Sequence, residues 1–245
     1  MKVLILLILI CFRIFVCGQD KKETFAYFEL IKSIASSERF GNNLAYRLDT
    51  LKSKFIPSRS GVNDYFNRDI DFGFKHRRIN VNLNITGYQI DLLCQKDTIF
   101  LISITTIYPS INYKNFNKSI IDQFLKNRNK FYSSSKTAMQ LIKEISFEEE
   151  YAFYCGDGDP KTQKGKYIER LVEEKNSDEL LDMLKSFNCE TQAYGVSGYN
   201  MLAKKDYEIP VDVKKLIDHI RKRNAELVIC SGCLSGLVEK IYSKD

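Results

Sequence analysis

The chain has 245 residues, with 37 Lys and Arg against 31 Asp and Glu and a formal charge of +6. That length supports one large domain or two small ones, each with an ample core. The charge excess is too mild to point to nucleic acid, and the lack of any Trp removes the usual stacking platform of a sugar site.

Lys2 gives the leader a short positive start, and Val3 to Phe12 is almost purely aliphatic. Val16, Cys17 and Gly18 then suit a cleavage before Gln19, so residues 1–18 read as a secretory signal peptide. A spanning helix needs about 20 apolar residues, and Arg13 interrupts this run. Cys17 lacks the small preceding residue of a lipidation signal, because Ile14, Phe15 and Val16 come before it. The expectation is a secreted or periplasmic protein with no stable membrane anchor. The mature chain divides into an α+β region over 19–150 and a helical region over 151–245.

Phe28, Ile31 and Ala35 recur at helical spacing over Glu23 to Ser37. Leu44, Leu48, Leu51 and Phe55 mark a second helix, which Pro57 stops. Ser58 to Asp71 is rich in Ser, Gly, Asn and Asp and reads as an irregular connection. Lys75-His76-Arg77-Arg78 reads as a solvated basic loop. From Arg78 to Ile107, Ile79, Val81, Leu83 and Ile85 alternate with polar residues, and Ile90, Leu92 and Cys94 continue the period of two. Turns at Gly87 and at Lys96-Asp97 complete a three-stranded antiparallel β-meander over 78–107, whose apolar face needs helices to cover it. After Pro109 the pattern is helical. Glu148-Glu149-Glu150 fits a solvated helix turn, and Cys155 to Pro160 is a strong break whose Asp157 and Asp159 suit a turn better than a calcium loop. Asn176 to Glu179 fits an Asn-led capping box. Val213, Leu216, Ile217 and Ile220 mark the next helix, and after a short strand over Ala225 to Ile229, Leu234 to Tyr242 reads as a final helix. The expected fold is α+β: N-terminal helices, the meander, then a mainly α-helical C-terminal half.

The mature chain keeps five cysteines. In an oxidising compartment some pair. Cys94 sits in a strand-like stretch as a buried thiol, which leaves Cys155, Cys189, Cys230 and Cys233 as disulfide candidates with the pairing open. Cys230-Ser231-Gly232-Cys233 is spaced like a redox motif, but too little chain follows it for a thioredoxin fold. The spacing of the four is also irregular for structural zinc. His76 and His219 are the two histidines, and neither sits in a nucleophile motif. Asn84 and Asn117 begin glycosylation sequons, which matter in a eukaryotic secretory pathway. No catalytic, cofactor or metal residues are assigned, and no cofactor is expected.

The helix over DELLDMLKS, a break at Asn188 and a helix with small residues (ETQAYGVSGYNMLAK) together resemble one helical hairpin of HEAT or armadillo type over Asn176 to Lys204. Tyr154-Cys155-Gly156, the stretch Leu184 to Gly195, and Cys230 to Cys233 resemble the C-terminal region of small exported Bacteroidetes proteins that carry no assigned activity. That resemblance implies an exported bacterial protein and no chemistry. The leading expectation is a non-enzymatic binding or interaction module that engages a protein partner. The alternatives are a secreted hydrolase built on a non-local carboxylate or His219, and an inhibitor of a secreted enzyme or toxin.

Overall fold

A computed structural model describes residues 24–51, 60–83, 86–106 and 111–242. The leader over 1–18, with Cys17, and the sequon residue Asn84 lie outside the described residues. Helix α1 spans 24–37 and α2 spans Gly41–Asp49. Five antiparallel strands follow: β1 (Gly61–Asp71), β2 (Phe74–Leu83), β3 (Thr86–Gln95), β4 (Thr98–Thr106) and β5 (Asn112–Phe116). They lie in the sheet in chain order. Helices α3 (Lys118–Tyr132), α4 (Ala138–Ser146), α5 (Gln163–Glu173), α6 (Ser177–Leu184), α7 (Cys189–Ala203) and α8 (Val211–Arg223) come next. A hairpin of β6 (Leu227–Ser231) and β7 (Leu234–Glu239) closes the described chain. No helix among the described residues is long and apolar enough to cross a membrane.

The fold is α+β, and the sheet has five strands with a separate two-stranded hairpin in place of one three-stranded meander. Ser58 to Asp71 is not an irregular connection, because β1 occupies most of it. β1 buries Phe66, Arg68 and Ile70 at alternate positions, and Asp71 at its end. The charge at the middle position hides the period of two that would have marked a strand. β2 begins at Phe74, so the basic run lies in a strand, with His76, Arg77 and Arg78 all buried. Leu234 begins a strand, because the turn at Gly232 (φ +56°) folds the chain back onto β6.

One face of the sheet is apolar. Ile79, Val81, Leu83, Tyr88, Ile90, Leu92, Cys94, Ile102 and Ile104 meet Phe28, Ile31 and Ala35 of α1 and Leu44 and Leu48 of α2. The opposite face is divided. Ile70, Phe74, Leu93 and Leu101 pack on Ile121, Phe124 and Leu125 of α3 and on Leu141, Ile142 and Ile145 of α4. The remainder carries Arg68, His76, Arg78, Asn80, Gln89 and Asp91. A third core, built on Ile168, Leu171, Leu180, Leu184, Tyr194 and Ile217, holds α5 to α8 together.

Helices α6 and α7 pack antiparallel at very short range. Asn176 caps α6 by accepting from Glu179 N, but the return bond of the expected capping box is not made: the Asn176 side-chain amide donates to the Glu179 carboxylate, and the Asn176 backbone N–H goes to Leu171 O (2.8 Å). Asn188 caps α7 by accepting from Thr191 N (2.8 Å). A Cβ on Gly195 would stand 3.0 Å from Leu184 N, and one on Gly198 would overlap the Leu180 methyls. The two glycines weaken an isolated helix, but here they let two backbones approach.

Candidate binding cleft

The site is built on the polar part of the sheet. Asp91 of β3 is fully buried and gathers three donors. Arg78 Nε donates to its Oδ1 (2.8 Å), His76 Nε2 lies 2.8 Å from the same oxygen, and Gln89 Nε2 donates to Oδ2 (2.6 Å). Burial opposes the carboxylate, but Arg78 and the His76 bond outweigh that and hold the Asp91 pKa below its usual value. Burial pushes the His76 pKa down to about 4 against the pull of Asp91, so the ring is neutral and donates through Nε2. Its Nδ1 has no partner among the described residues.

Arg78 and Gln89 also reach across to the end of α4. Arg78 donates to Ile145 O (2.6 Å) and Gln89 to Ser146 O (2.9 Å). The last carbonyls of a helix lack intrahelical donors, and two sheet side chains supply them here. This fixes the exit of α4, so Phe147 to Glu150 leave the helix as coil beside the polar residues of β2 and β3. They do not form a solvated helix turn.

Three cavities meet at this short segment. One of about 430 Å³ is lined by Asn80, Asn82, Gln89, Ser146, Phe147 and Glu148. A second of about 300 Å³ shares Asn80 and Glu148 with it and adds Tyr65, Arg78, Glu149 and Glu150. The third, about 480 Å³, lies beyond Phe147, between α4 and α6, with Lys143, Glu144, Asp182, Met183 and Asn188. Phe147 is 57 % exposed and lines both the first and the third. Glu149 is held by Lys164 (2.8 Å) and Thr191, and Glu150 by Ser235. Glu148 forms no hydrogen bond or ion pair with the described residues and is free to meet a ligand.

The histidine of the hydrolase alternative lies elsewhere. His219 Nε2 sits 2.8 Å from Asp71 Oδ1, not beside its sequence neighbour Asp218. Asp71 is buried and also receives Arg128 Nε (2.7 Å), Arg223 (3.1 Å) and the Tyr132 hydroxyl (3.1 Å). Burial alone would raise its pKa, yet the His219 bond, Arg223 and Arg128 bring it to about 2. Arg128 further donates to Lys185 O and Ser186 O (2.6 Å), and Arg223 to Gln192. The cluster thus ties β1, α3, α8 and the α6–α7 junction together. His219 packs on Phe72 and Phe131, lines none of these three cavities, and is hydrogen-bonded to no Ser, Thr or Cys among the described residues. A third buried pair, Arg68 with Glu190, ties β1 to α7, and Glu190 also accepts Val228 N (2.8 Å).

Of the four disulfide candidates, Cys155 and Cys230 are joined, their Cα atoms 5.6 Å apart. Cys189 is a buried free thiol, as is Cys94, and Cys233 is an exposed one. Burial pushes the Cys94 thiol up to about 12 and keeps it protonated. A carboxylate oxygen of Glu150 and the sulfurs of Cys155 and Cys230 lie within 4.8 Å of one another. Joined sulfurs present no thiolate, so this donor set does not suit a metal.

The role of the segment over 146–150 is not visible in the sequence because it comes from Arg78 and Gln89, which lie in strands far away in the chain. No family model matches the chain, and no curated protein or solved structure matches it either.

Proposed function

We propose that the protein is an exported, non-enzymatic binding module that holds an extended segment of a partner protein against residues 146–150. The observation that carries this reading is the convergence of three cavities on five consecutive residues, with an exposed aromatic ring among them. Loops fixed on a rigid scaffold are where recognition concentrates. A sheet-capped helix end provides that fixity here. The partner segment has an apolar side chain that packs on Phe147 and Met183, and next to it a Lys or Arg that faces Glu148. Export is consistent with the Cys155–Cys230 pair, which suits an oxidising compartment. The α6–α7 hairpin, read as a single HEAT-like unit, supports one wall of the groove. The hydrolase reading is weaker, because the Asp71 carboxylate beside His219 is occupied by two arginines that also cap carbonyls.

Selection from a displayed library of random peptides tests this. The reading predicts enriched peptides that pair an apolar residue with an adjacent Lys or Arg and lose binding in Phe147→Ala. Enrichment that ignores Phe147→Ala, or peptide cleavage that disappears in His219→Gln, would overturn it.

A further inference from the structure

The three cysteines at the end of the β6–β7 hairpin form a chemical unit that the binding reading does not use. Cys230 is the last residue but one of β6 and is bonded to Cys155. Cys233 is three residues on, in the turn where Ser231 pairs with Leu234. It is an exposed thiol, whereas the other free thiols of the described residues, Cys94 and Cys189, are buried. The Cys155 loop is docked on that same turn, because Gly156 N donates to Gly232 O (2.8 Å). A second bond, from Tyr151 N to Val228 O (2.8 Å), holds the preceding segment along β6. Cys230 and Cys233 have the Cys-x-x-Cys spacing that redox sites join in a local disulfide, so Cys230 has its bonded partner 75 residues away and a second cysteine three residues on.

We propose that Cys155, Cys230 and Cys233 are a thiol–disulfide exchange site, with Cys233 as the attacking thiol. The Cys233 thiolate attacks Cys230 Sγ, the Cys230–Cys233 bond forms, and the Cys155–Cys230 bond breaks. Cys155 leaves as a thiolate and takes up the proton that Cys233 lost. One disulfide and one thiol are present before and after, so no oxidant or reductant is needed. The thiolate is the nucleophile in such exchange, so the rate rises with pH. Glu150 stands beside the reacting sulfurs, within 4.8 Å of both members of the disulfide. Its negative charge opposes an approaching thiolate and holds the exchange in check. The outcome changes the fold locally: a closure over a sequence separation of 75 is replaced by one confined to the hairpin turn, and the 151–156 segment loses its covalent tie to β6 while keeping its hydrogen bonds.

Disulfide mapping of the full chain, with no added reductant, tests the site. Protein trapped in acid should give Cys155–Cys230 with free Cys233. After incubation at pH 8.5 and a second acid trap, part should give Cys230–Cys233 with free Cys155. Cys233→Ser should give Cys155–Cys230 under both conditions, with an unchanged melting temperature. Glu150→Gln should exchange several-fold faster than the parent protein. Cys155–Cys230 as the sole linkage of the parent protein after incubation at pH 8.5 would overturn the proposal. A Cys233–Cys233 dimer in place of the internal isomer would overturn it too. Peptide binding at Phe147 does not enter this readout, so the two proposals fail separately.

Discussion

Two buried acids do unlike work, and single residues separate them. Asp71 neutralises Arg128 and Arg223 inside the protein, so its loss strands two buried guanidinium groups. Breaking a buried ion pair from one side costs about 3 to 5 kcal/mol. Asp71→Ala is expected to lose roughly that much in urea unfolding, whereas His219→Gln, at the exposed edge of the cluster, is expected to lose under about 1 kcal/mol. A large loss in His219→Gln would make the histidine part of the structural hub. Around Asp91 the titrating group is His76. Its folded pKa, about 4, lies below the unfolded value of 6.5, so the unfolded chain takes up a proton that the folded chain refuses. The stability tied to this group is complete above pH 6.5 and is lost as pH falls toward 4. Asp91, with a lowered pKa, adds loss in the same direction at lower pH. Unfolding free energy is expected to drop by about 2 kcal/mol between pH 7 and pH 5 from His76. His76→Gln, which keeps a donor for Asp91, should flatten that drop. An equally steep drop in the variant would place the acid sensitivity elsewhere.

Among the elements, α6 and α7 are the most sharply fitted. Gly195 faces the backbone of α6, where the nearest atoms are Leu184 N and Leu180 O. Gly195→Ala gains about 1 kcal/mol of helix propensity, yet it must push two backbones apart, and overpacking costs about 1 to 3 kcal/mol. A net loss on the order of 1 kcal/mol is expected in urea unfolding. A gain in stability would show that the hairpin has slack. The same scale explains what the residue pattern revealed. α1, α2, the second half of β2, β3, β4 and the helices of the C-terminal half other than α7 carry clean apolar periods, which make them legible; α7 is buried on nearly every side. β1 carries Arg68 between Phe66 and Ile70, and that arginine is neutralised by Glu190 of α7. β5 is short and borders the sheet. Only a distant partner or a sheet edge makes sense of such residues, so a local pattern cannot reveal them. His76 and Arg78 misread for the same reason: a basic run suggests solvent until Asp91, in the next strand, is placed opposite it.

For the whole molecule, the Cys155–Cys230 link closes the largest loop in the helical half, with a separation of 75 residues. Closing a loop of that size in the unfolded chain is worth about 4 kcal/mol on the chain-entropy account. Cys155→Ser in a Cys233→Ser background is therefore expected to lower the unfolding free energy by about that amount against Cys233→Ser alone. An unchanged urea midpoint would show that the helical half needs no staple. The link also stands behind Glu150, so the disulfide, the hairpin and the recognition segment belong to one corner of the molecule. Buried ion pairs hold that corner: Arg68 with Glu190 below, Arg78 with Asp91 beside it. Glu149 and Glu150 are held by Lys164, Thr191 and Ser235, whereas the carboxylate of Glu148, next to the exposed ring of Phe147, has no partner among the described residues. Recognition turns on that pair. Its most direct test is calorimetric titration of a selected peptide into the parent protein and into Phe147→Ala of equal thermal stability. A loss of affinity of about tenfold or more, which is about 1.4 kcal/mol, is predicted. Equal affinity for the two proteins would contradict the assignment of residues 146–150 as the binding segment.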